Sequence, residues 1–411
     1  MKQNTTYKQT ELGLIPEDWE LKKLGKVGEI DKKSLNSNTD KEYEFDYISL
    51  SDVDSDQFSI KTSKQKFKNA PSRARRIVKK GDVLLSTVRP NLEGFTIIRD
   101  EVKDLIASTG FAVITSKNEL HNEYLFNFLF SNIIKRQFHK LLVGSNYPAI
   151  NSSDVKNLKI PVPPLPEQKK IADCLSTWDV AIEKQNALIN ALTDRKKALM
   201  QQLLTGKKRL PGFSGEWKEV SLIELADFRR GSFPQPYGLP EWYDNENGEP
   251  FIQVYDVGDN FNLKPTTKSK ISELAQVQSV FIKKGTLIVT LQGSIGKVAI
   301  TNYDAYIDRT LLLFSSFKMK VDIYFIMYQI HNLFNIEKEK APGGIIKTIT
   351  KEVLSNFKIK LPSFEEQTAI AEILATADRE LALQKEKLAQ LQTQKKGLMQ
   401  VLLTGKKRLL N

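Results

Sequence analysis

The chain of 411 residues is too long for one ordinary domain, and its 40% hydrophobic and 9% aromatic content excludes a disordered chain. No apolar run reaches the length of a membrane span, the N-terminus lacks the apolar core of a signal peptide, and the single cysteine excludes a disulfide framework, so we expect a cytoplasmic protein. The net charge of +12, from 61 basic and 49 acidic residues, favours a polyanionic partner.

The first two segments of the chain are a lead-in at 1–28 and a body at 29–157. The body contains an apolar strand in YISLSDVD, a turn and strand in VKKGDVLLSTVRPN, and a further strand in TGFAVITS. An amphipathic, aromatic-rich helix follows in NEYLFNFLFSNIIKRQFHKLL. This succession predicts an α+β domain with a twisted, mainly antiparallel or mixed sheet.

Basic and polar loops of the first body are candidate contacts for DNA. The stretch RARRIVKK has five basic residues and no acidic one, and the loop STVRPNLEG includes the end of a predicted strand. Arginine reads guanine and asparagine reads adenine at the edges of the major groove, while basic side chains hold phosphates. Each loop taken alone is also compatible with an ordinary polar turn. The candidate residues are Arg73, Arg75, Arg76, Arg89, Asn91, Ser145, Asn146 and Tyr147.

The region at 158–210 contains one long predicted helix. Pro166 of the proline-rich entry PVPPLPEQ precedes the helix, and Gly206 follows it. Its apolar residues recur in two interleaved seven-residue series, interrupted by Gln185 and Lys196, and this pattern is typical of a coiled-coil seam. Cys174 lies beside the seam and is expected to be a buried, inert thiol. The predicted seam residues are Ile171, Leu175, Trp178, Ile182, Gln185, Ile189, Leu192, Leu199 and Leu203.

The second half of the chain repeats the first with an offset of 199 residues. The octapeptide LLTGKKRL at 203–210 returns at 402–409, and about half of the residues of 166–210 recur in the same register. Trp19 of the first lead-in also has a counterpart, Trp217, so we infer a tandem duplication of one unit. The predicted later segments are a second lead-in at 211–227, a second body at 228–356 and a terminal region with another long helix at 357–411.

The second body keeps the succession of strands, aromatic helix and glycine-containing loop, although its sequence has almost no identity with that of the first body. Its polar loops therefore have the same predicted position with different side chains. The segment FRRGSFPQPY interleaves arginines with aromatic residues, and TLQGSIGK offers amide, hydroxyl and ammonium groups. The candidate DNA contacts are Arg229, Arg230, Ser232, Gln235, Tyr237, Gln292, Ser294, Lys297 and Lys347.

The heptad seam recurs in the terminal region, where Gln384 and Lys395 interrupt it. Matching interruptions predict that the two long helices pair, and Gln185 opposite Gln384 would fix their register. The sequence alone leaves parallel and antiparallel pairing open. Each helix of about 39 residues would span about 58 Å. The predicted seam residues are Ile370, Leu374, Leu381, Gln384, Leu388, Leu391, Leu398 and Leu402.

The sequence shows no catalytic constellation. The three histidines, His121, His139 and His331, do not have the spacing of a metal site. The segment GSIGK lacks the spacing of a phosphate-binding loop, so we expect it to be a strand turn. We therefore expect that this chain is not an enzyme and binds no metal and no cofactor.

Three motifs together resemble the specificity subunit of type I restriction-modification systems: the lead-in LGLIPEDWELKKLGKV, the helix entry PLPEQKKIA and the helix exit LLTGKKRL. The resemblance covers essentially the whole chain. It implies that the bodies at 29–157 and 228–356 are target recognition domains, each of which reads one half of a split, asymmetric DNA site. It also implies a long antiparallel coiled coil between these domains, with pseudo-two-fold symmetry of the duplicated halves.

The same resemblance implies the partners of such a non-catalytic subunit. The chain would bind double-stranded DNA and two copies of a methyltransferase subunit, which bind S-adenosylmethionine and methylate adenine. Two restriction subunits that use ATP and Mg could join the complex for cleavage, and no membrane is involved. The basic helix exits would contact either backbone phosphate or an acidic partner surface.

Two other classes of function remain open from the sequence. A free-standing DNA-modifying enzyme would need a cofactor motif that the sequence does not show, and binding of S-adenosylmethionine by the isolated chain would favour that class. A coiled-coil scaffold without a nucleic-acid role would explain the helices but not two equivalent sets of basic loops. Salt-dependent DNA binding distinguishes a DNA-binding protein from such a scaffold.

Overall fold

The computed structural model divides the chain into two compact units, and each unit contains segments of both sequence repeats. Unit 1 comprises Met1–Ala187 and Glu386–Asn411, whereas unit 2 comprises Leu188–Lys385. The divisions fall inside the two long helices, so each unit includes one part of each helix. The residues that the structure describes are 6–54, 59–142, 148–340 and 354–409.

The strands of unit 1 form two larger sheets and several two-stranded ribbons. The strands are β1 (Tyr7–Thr10), β2 (Gly13–Pro16), β3 (Glu20–Lys23), β4 (Gly28–Ile30), β5 (Glu44–Ile48), β6 (Val53–Asp54), β7 (Ser59–Ile60), β8 (Ser63–Lys66), β9 (Ala74–Val78), β10 (Val83–Ser86), β11 (Phe95–Ile97), β12 (Leu105–Ser108), β13 (Phe111–Ser116) and β14 (Lys159–Val162). The first sheet has the order β11-β10-β13-β4 and is antiparallel. The second has the order β8-β5-β12-β9, in which only β5 and β12 are parallel. The ribbons pair β1 with β2, β3 with β14, and β6 with β7.

The helices of unit 1 differ from the sequence expectation at one place. They are α1 (Leu24–Val27), α2 (Asn122–Phe128), α3 (Asn132–Leu142), α4 (Ser152–Asn157) and the first part of α5 (Leu165–Leu203). The single aromatic-rich helix expected at 122–142 is therefore wrong, because the helix breaks between α2 and α3. The hydroxyl of Ser131 accepts a hydrogen bond from the backbone N–H of Ile134 at 3.4 Å, as a helix-starting serine does.

Unit 2 repeats the two four-stranded sheets of unit 1 and its β3-β14 ribbon, with equivalent strands in the same order. Its elements are β15 (Lys218–Ser221), β16 (Ala226–Arg230), β17 (Glu249–Ile252), β18 (Ser269–Ile271), β19 (Val280–Ile282), β20 (Leu287–Thr290), β21 (Val298–Ile300), β22 (Ala305–Ile307), β23 (Leu311–Phe317), β24 (Lys358–Leu361), α6 (Leu222–Leu225), α7 (Glu273–Gln276), α8 (Ile323–Lys340) and α9 (Phe364–Leu402). The sheets have the orders β16-β23-β20-β21 and β18-β17-β22-β19, and β17 and β22 are the parallel pair. A ribbon of β15 and β24 corresponds to β3 and β14.

The central strand of the first sheet in each unit is buried on both faces. In β10, Leu85 belongs to the core formed with the helices, whereas Leu84 belongs to the core formed with the second sheet. In β20, Val289 and Ile288 have the same two roles. Because neighbouring side chains of a strand point to opposite faces, a strand between two cores needs apolar residues at every position. The first three residues of each strand, VLL and LIV, meet that requirement, and the last position of each strand has a buried hydroxyl residue, Ser86 or Thr290.

The two long helices pair in antiparallel orientation. In unit 1, Lys395 of α9 forms an ion pair with Asp179 of α5. In unit 2, Lys196 of α5 forms the equivalent ion pair with Asp378 of α9. The residue number rises along α5 while that of its partner falls along α9, which requires antiparallel helices. The antiparallel pairing that the family resemblance implied is therefore confirmed, and each lysine that interrupts the seam forms an ion pair across it.

The octapeptide at the end of α9 packs against the lead-in and the entry of α5 within unit 1. Gly405 ends the helix with a left-handed backbone (φ 70°), and a Cβ there would lie 3.3 Å from the ring of Trp19. Arg408 then forms a bidentate contact with the carboxylate of Glu167 at 2.7 and 2.8 Å. The indole N–H of Trp19 donates to the same carboxylate at 3.0 Å. The helix exit, the lead-in and the helix entry therefore meet at one buried glutamate.

The octapeptide at the end of α5 makes the same contacts in unit 2. Arg209 contacts both carboxylate oxygens of Glu366 at 2.7 Å, and the indole N–H of Trp217 donates to that carboxylate at 3.3 Å. Gly206 has φ 72° and packs against the ring of Trp217. The arginine of each basic exit thus binds a carboxylate of its own unit, which leaves the two lysines of the octapeptide as its exposed cations.

The predicted seam residues are all buried or half-buried in their units. Gln185, at 5% exposure, is nearly as buried as its apolar neighbours. Its expected position opposite Gln384 stays a prediction. Cys174 is half-buried and packs against the core of unit 1, rather than being fully buried as expected.

Candidate nucleic-acid interface

Two topologically equivalent loops carry the main candidate DNA contacts. Loop 1 (residues 89–93) follows β10 in unit 1, and loop 2 (residues 291–297) follows β20 in unit 2. Loop 1 turns through a left-handed backbone at Arg89 and Glu93, whereas loop 2 uses glycines for its left-handed residues. The same fold therefore presents different side chains from the same edge of the two sheets.

Loop 1 is held in place by backbone and side-chain contacts at its ends. The N–H of Arg89 donates to the carbonyl of Pro148 at 2.7 Å. At the other end of the loop, Glu93 forms an ion pair with Lys135 of α3. Between these anchored ends, Asn91 is exposed, and so is the side chain of Arg89. Loop 1 therefore brings two predicted base-reading residues together on one surface turn.

The arginines of the basic stretch in unit 1 have different surroundings. The guanidinium of Arg76 lies 3.0 Å from the carboxylate of Asp31, and that of Arg75 lies 4.8 Å from the ring centre of Phe67. Arg73 is exposed at the start of the stretch. Because Arg76 already neutralises a nearly buried carboxylate, its role in holding the fold competes with the predicted role in binding phosphate.

Loop 2 presents polar groups of a different kind. Gln292 and Ser294 are exposed at its tip. The ammonium of Lys297 lies 2.7 Å from the carboxylate of Asp259, and this hydrogen bond lowers the pKa of the aspartate. Lys297 is thus positioned by a carboxylate that lies 38 positions earlier in the chain. The segment GSIGK is a turn between β20 and β21, as expected.

A cavity of about 420 Å³ opens between loop 2 and α8. His331 and Asn335 lie on its helical wall, with 3.0 Å between the imidazole Nε2 and the Asn335 side-chain nitrogen. The ring of Phe261 meets the imidazole edge to face at 4.9 Å. Burial, together with the positive charge of Lys196, lowers the pKa of His331 to about 4. This histidine is therefore neutral near pH 7 and accepts a hydrogen bond from the amide.

The predicted contacts on β16 are exposed, and the one that follows β16 is tied to the fold. Arg229 and Arg230 end the strand at the surface of unit 2. The hydroxyl of Ser232 donates to the carbonyl of Gln278 at 2.8 Å. This bond anchors the start of the segment that leads away from β16, so the two arginines keep a defined position.

Tyr237 lies in a polar network of unit 2, whereas Gln235 is exposed beside it. The hydroxyl of Tyr237 donates to the carboxylate of Asp308 at 3.0 Å and accepts a hydrogen bond from Gln253. Burial and the nearby carboxylate raise the pKa of this tyrosine well above its usual range. The guanidinium of Arg309 lies 5.7 Å from its ring centre. The network fixes the tyrosine while leaving 41% of the residue exposed.

Four predicted contacts lie outside the described residues, and two further residues of the structure were not predicted. The missed residues are Asp259, which positions Lys297, and Leu92, which is 67% exposed in loop 1. Asp259 gave no signal because its partner is distant in the sequence. Leu92 has no signal of this kind in the sequence, because an apolar side chain forms no hydrogen bonds with base edges. The predicted contacts outside the described residues are Ser145, Asn146, Tyr147 and Lys347.

The described side chains of loops 1 and 2 offer groups that can bind DNA. Within the described ranges, no group of three or more His, Cys, Asp and Glu side chains could hold a metal ion. None of the helices described is long and apolar enough to cross a membrane. What the two loops present is a set of amide, hydroxyl and cationic donors suited to base edges and phosphates.

A comparison with protein families finds one matching model in two copies. The model is described as the type I restriction modification DNA specificity domain, and it matches residues 16–194 and 214–393. Each copy includes one body and most of one long helix. Together the two matches extend over most of the chain.

Comparisons with individual proteins agree with this match. The chain is 30% identical to the type I restriction enzyme MjaVIII specificity subunit of Methanocaldococcus jannaschii, over 97% of this chain and 95% of that protein. It is 27% identical to the putative MjaX specificity subunit of the same organism, over 97% and 96%.

Solved structures extend the likeness to the fold. One chain, from a study of complex assembly and conformational transition of the type I R-M system, has a TM-score of 0.66 and 26% identity, with 96% of this chain and 99% of that chain covered. The HsdS subunit of Thermoanaerobacter tengcongensis has a TM-score of 0.50 and 26% identity, with coverage of 96% and 98%.

Proposed function

The chain belongs to the type I restriction-modification DNA specificity family as a specificity subunit with two DNA specificity domains, and we propose that each domain reads one half of a bipartite, asymmetric DNA site. The observation that carries this proposal is one topology used twice with different loops. Loop 1 offers Arg89 and Asn91, whereas loop 2 offers Gln292, Ser294 and Lys297. Equivalent positions with different donors suit two half-sites of different sequence.

The paired helices would set the distance between the two half-sites. Two antiparallel helices of 39 residues, each about 58 Å long by a rise of about 1.5 Å per residue, would form a stiff connection. The half-site centres should then lie about one helical turn of DNA apart or slightly more, roughly 34–36 Å. One domain reads too few bases to define a rare site, and two domains on a fixed spacer multiply the specificity.

The exposed lysines of the repeated octapeptide would help to recruit two copies of a methyltransferase subunit. Most other residues of the octapeptide have a place in the fold: its leucines are buried or half-buried, its glycine ends the helix and its arginine binds a glutamate. Two identical partner subunits need two identical surfaces, and the bodies that read DNA share almost no sequence. We therefore assign the exposed lysines a contact with an acidic surface of the methyltransferase subunit. These lysines are Lys207, Lys208, Lys406 and Lys407.

A charge-reversal experiment tests this assignment. Changing Lys207 and Lys208 to glutamate should reduce the complex from two methyltransferase subunits per chain to one, because attraction at one docking surface becomes repulsion. The matching variant at Lys406 and Lys407 should remove the other subunit. Light scattering of the purified complexes gives the stoichiometry. Unchanged stoichiometry together with a smaller salt slope of DNA binding would assign the lysines to phosphate instead.

The chain would act as the non-catalytic part of a DNA adenine methyltransferase and endonuclease complex. S-adenosylmethionine would bind to the methyltransferase subunits, and ATP and Mg to two restriction subunits where these join. The side chains described in loops 1 and 2 would contribute positioning and base recognition only. The isolated chain should therefore transfer no methyl groups to DNA, and detectable transfer would contradict the proposal.

The decisive experiment maps methylated adenines in cells that contain a methyltransferase partner, with and without this chain. A bipartite methylated sequence should appear only when the chain is present. Exchanging residues 29–157 for the matching segment of a relative should then change one half of that sequence and leave the other half unaltered. A change in both halves, or in neither, would contradict the assignment of one domain to each half-site.

A further inference from the structure

Loop 1 keeps non-glycine residues where loop 2 has glycine. Arg89 (φ 48°) and Glu93 (φ 57°) both occupy the left-handed region, whereas the corresponding turn of loop 2 uses Gly293 (φ 67°) and Gly296 (φ 84°). A left-handed backbone costs a non-glycine residue roughly 1–2 kcal/mol, so loop 1 retains these side chains against a local preference for glycine. Non-glycine residues with a left-handed backbone are typical of functional sites.

Contacts within loop 1 and with its neighbours hold it in one shape. The backbone N–H of Leu92 donates to the carbonyl of Arg89 at 2.9 Å, and that of Glu93 donates to the carbonyl of Pro90 at 3.1 Å. Pro90 is buried within the turn, and the carboxylate of Glu93 is paired with Lys135. A loop fixed in this way loses little conformational entropy when it binds a partner.

This fixed loop directs a leucine into solvent. Leu92 is 67% exposed, although burial of a leucine side chain would contribute roughly 1.5–3 kcal/mol. The position lies next to Asn91 and three residues from Arg89, both of which are exposed. Loop 1 therefore exposes an apolar side chain directly after an amide and three residues after a guanidinium, which is the composition of a surface that reads a base edge with both polar and apolar atoms.

The apolar feature available on a DNA base edge is the C5 methyl group of thymine. In the major groove, guanine and adenine are read by hydrogen bonds from arginine and asparagine, whereas thymine is distinguished by contact with its methyl group. We propose that Leu92 is a specificity-determining residue that contacts the C5 methyl of a thymine in the first half-site. This inference rests on the proposed function, and it assigns a defined chemical group to one side chain of loop 1.

The test removes the methyl group and the leucine separately and together. The full chain, in complex with its methyltransferase subunit, is titrated with DNA whose first half-site contains deoxyuridine in place of thymine at one position at a time. At one position the wild-type complex should lose roughly three- to fivefold in affinity, the effect expected for one buried methyl group. The Leu92→Ala complex should bind thymine and uracil DNA equally at that position.

A matched control separates this contact from general loss of apolar surface. Leu14 lies in the hairpin of β1 and β2 and is 60% exposed, so Leu14→Ala removes the same atoms from a site outside loop 1. Leu14→Ala should keep the wild-type sensitivity to uracil. The inference is overturned if no thymine of the first half-site is sensitive in the wild type, or if Leu92→Ala keeps the sensitivity. Absence of any sequence-specific binding by the wild-type complex would overturn the proposed function as well.

Discussion

Lys196 and Lys395 interrupt the two heptad seams, yet each is directed toward a carboxylate of the opposite helix. The Asp179–Lys395 pair is the more buried of the two, with side-chain exposures of 14% and 11%. Burial raises the pKa of Asp179 and outweighs the opposite effect of the lysine. A buried ion pair of this kind adds little to the free energy of unfolding, because the cost of desolvation offsets much of the attraction between the charges. Its main contribution is to the specificity of helix pairing.

Breaking and replacing that pair should have opposite effects. Asp179→Ala leaves the ammonium of Lys395 buried without this carboxylate and should lower the free energy of unfolding by about 3–5 kcal/mol. The double variant Asp179→Leu with Lys395→Met should recover most of that loss, since apolar side chains suit a helix seam. Urea denaturation followed by circular dichroism measures both effects. Lys197→Ala, at an exposed position, is the control, and a double variant as unstable as Asp179→Ala would contradict this interpretation.

His331 should make the stability of unit 2 dependent on pH. Its pKa in the folded protein is lowered to about 4 from an ordinary value of 6.5, so the unfolded chain binds the proton more readily. The stabilising contribution is complete above pH 6.5 and is lost as the pH falls toward 4. The slope should reach about 1.4 kcal/mol per pH unit.

Replacement of the histidine tests that slope. His331→Gln should flatten the dependence of the urea midpoint on pH between 6.5 and 4. A smaller slope should persist because burial also lowers the pKa of His121. His139→Gln, at an exposed position, is the matched control and should behave like the wild type. An unchanged slope in His331→Gln would show that the imidazole is accessible to protons in the folded state.

At the scale of elements, the helices were the most predictable part of the chain. A seven-residue apolar period over about 39 residues indicates a coiled-coil α-helix and shows which of its faces is buried. The seams of α5 and α9 could therefore be predicted. Their antiparallel orientation could not, because a heptad seam has the same pattern in either direction. The break at Ser131 was also missed, since an apolar period continues across it.

The same limit applies to the candidate interface. The positions of loops 1 and 2 follow from strand and turn signals, and the equivalence of the two loops follows from the duplication. The partner of Arg76, Asp31, and the partner of Lys297, Asp259, lie far away in the sequence. Local sequence patterns cannot distinguish a basic side chain that neutralises such a carboxylate from one that binds a DNA phosphate.

The proposed spacing role of the helices gives an element-scale prediction. Removal of one heptad from 178–199 and of its counterpart from 377–398 keeps the seam in phase and shortens each helix by about 10 Å. The tolerated spacer of the DNA site should shorten, or binding should be lost, while the bases of the half-sites stay unchanged. Methylation mapping of the shortened protein measures the spacer. Original spacing with original affinity would contradict the spacing role.

At the scale of the whole molecule, each half of the sequence carries both partners of every repeated ion pair. Residues 1–210 contain Glu167 with Arg209 and Asp179 with Lys196, although in the full chain these residues pair with the other repeat. A chain of residues 1–210 should therefore form a homodimer in which these pairs form between copies.

Such a dimer would read two identical half-sites. Light scattering should show two copies of 1–210, and with a methyltransferase partner the methylated site should be an inverted repeat of the first half-site. The variant Arg209→Glu places two carboxylates opposite each other and should prevent dimerisation. A monomeric fragment of wild-type sequence, folded by circular dichroism, would contradict the self-complementarity of the repeat.

The contacts of Arg408 join the two ends of the sequence within unit 1. Arg408 contacts the carboxylate of Asp18 at 2.9 and 2.6 Å, across 390 positions of sequence. Unit 2 is one continuous segment, Leu188–Lys385, and all of it is synthesised before the last 26 residues that unit 1 requires. The domain that begins the chain is therefore the last to be completed, and a chain truncated after unit 2 lacks the arginine that closes unit 1. A chain that lacks residues 386–411 should therefore form the contacts within unit 2 but not those of Arg408 in unit 1.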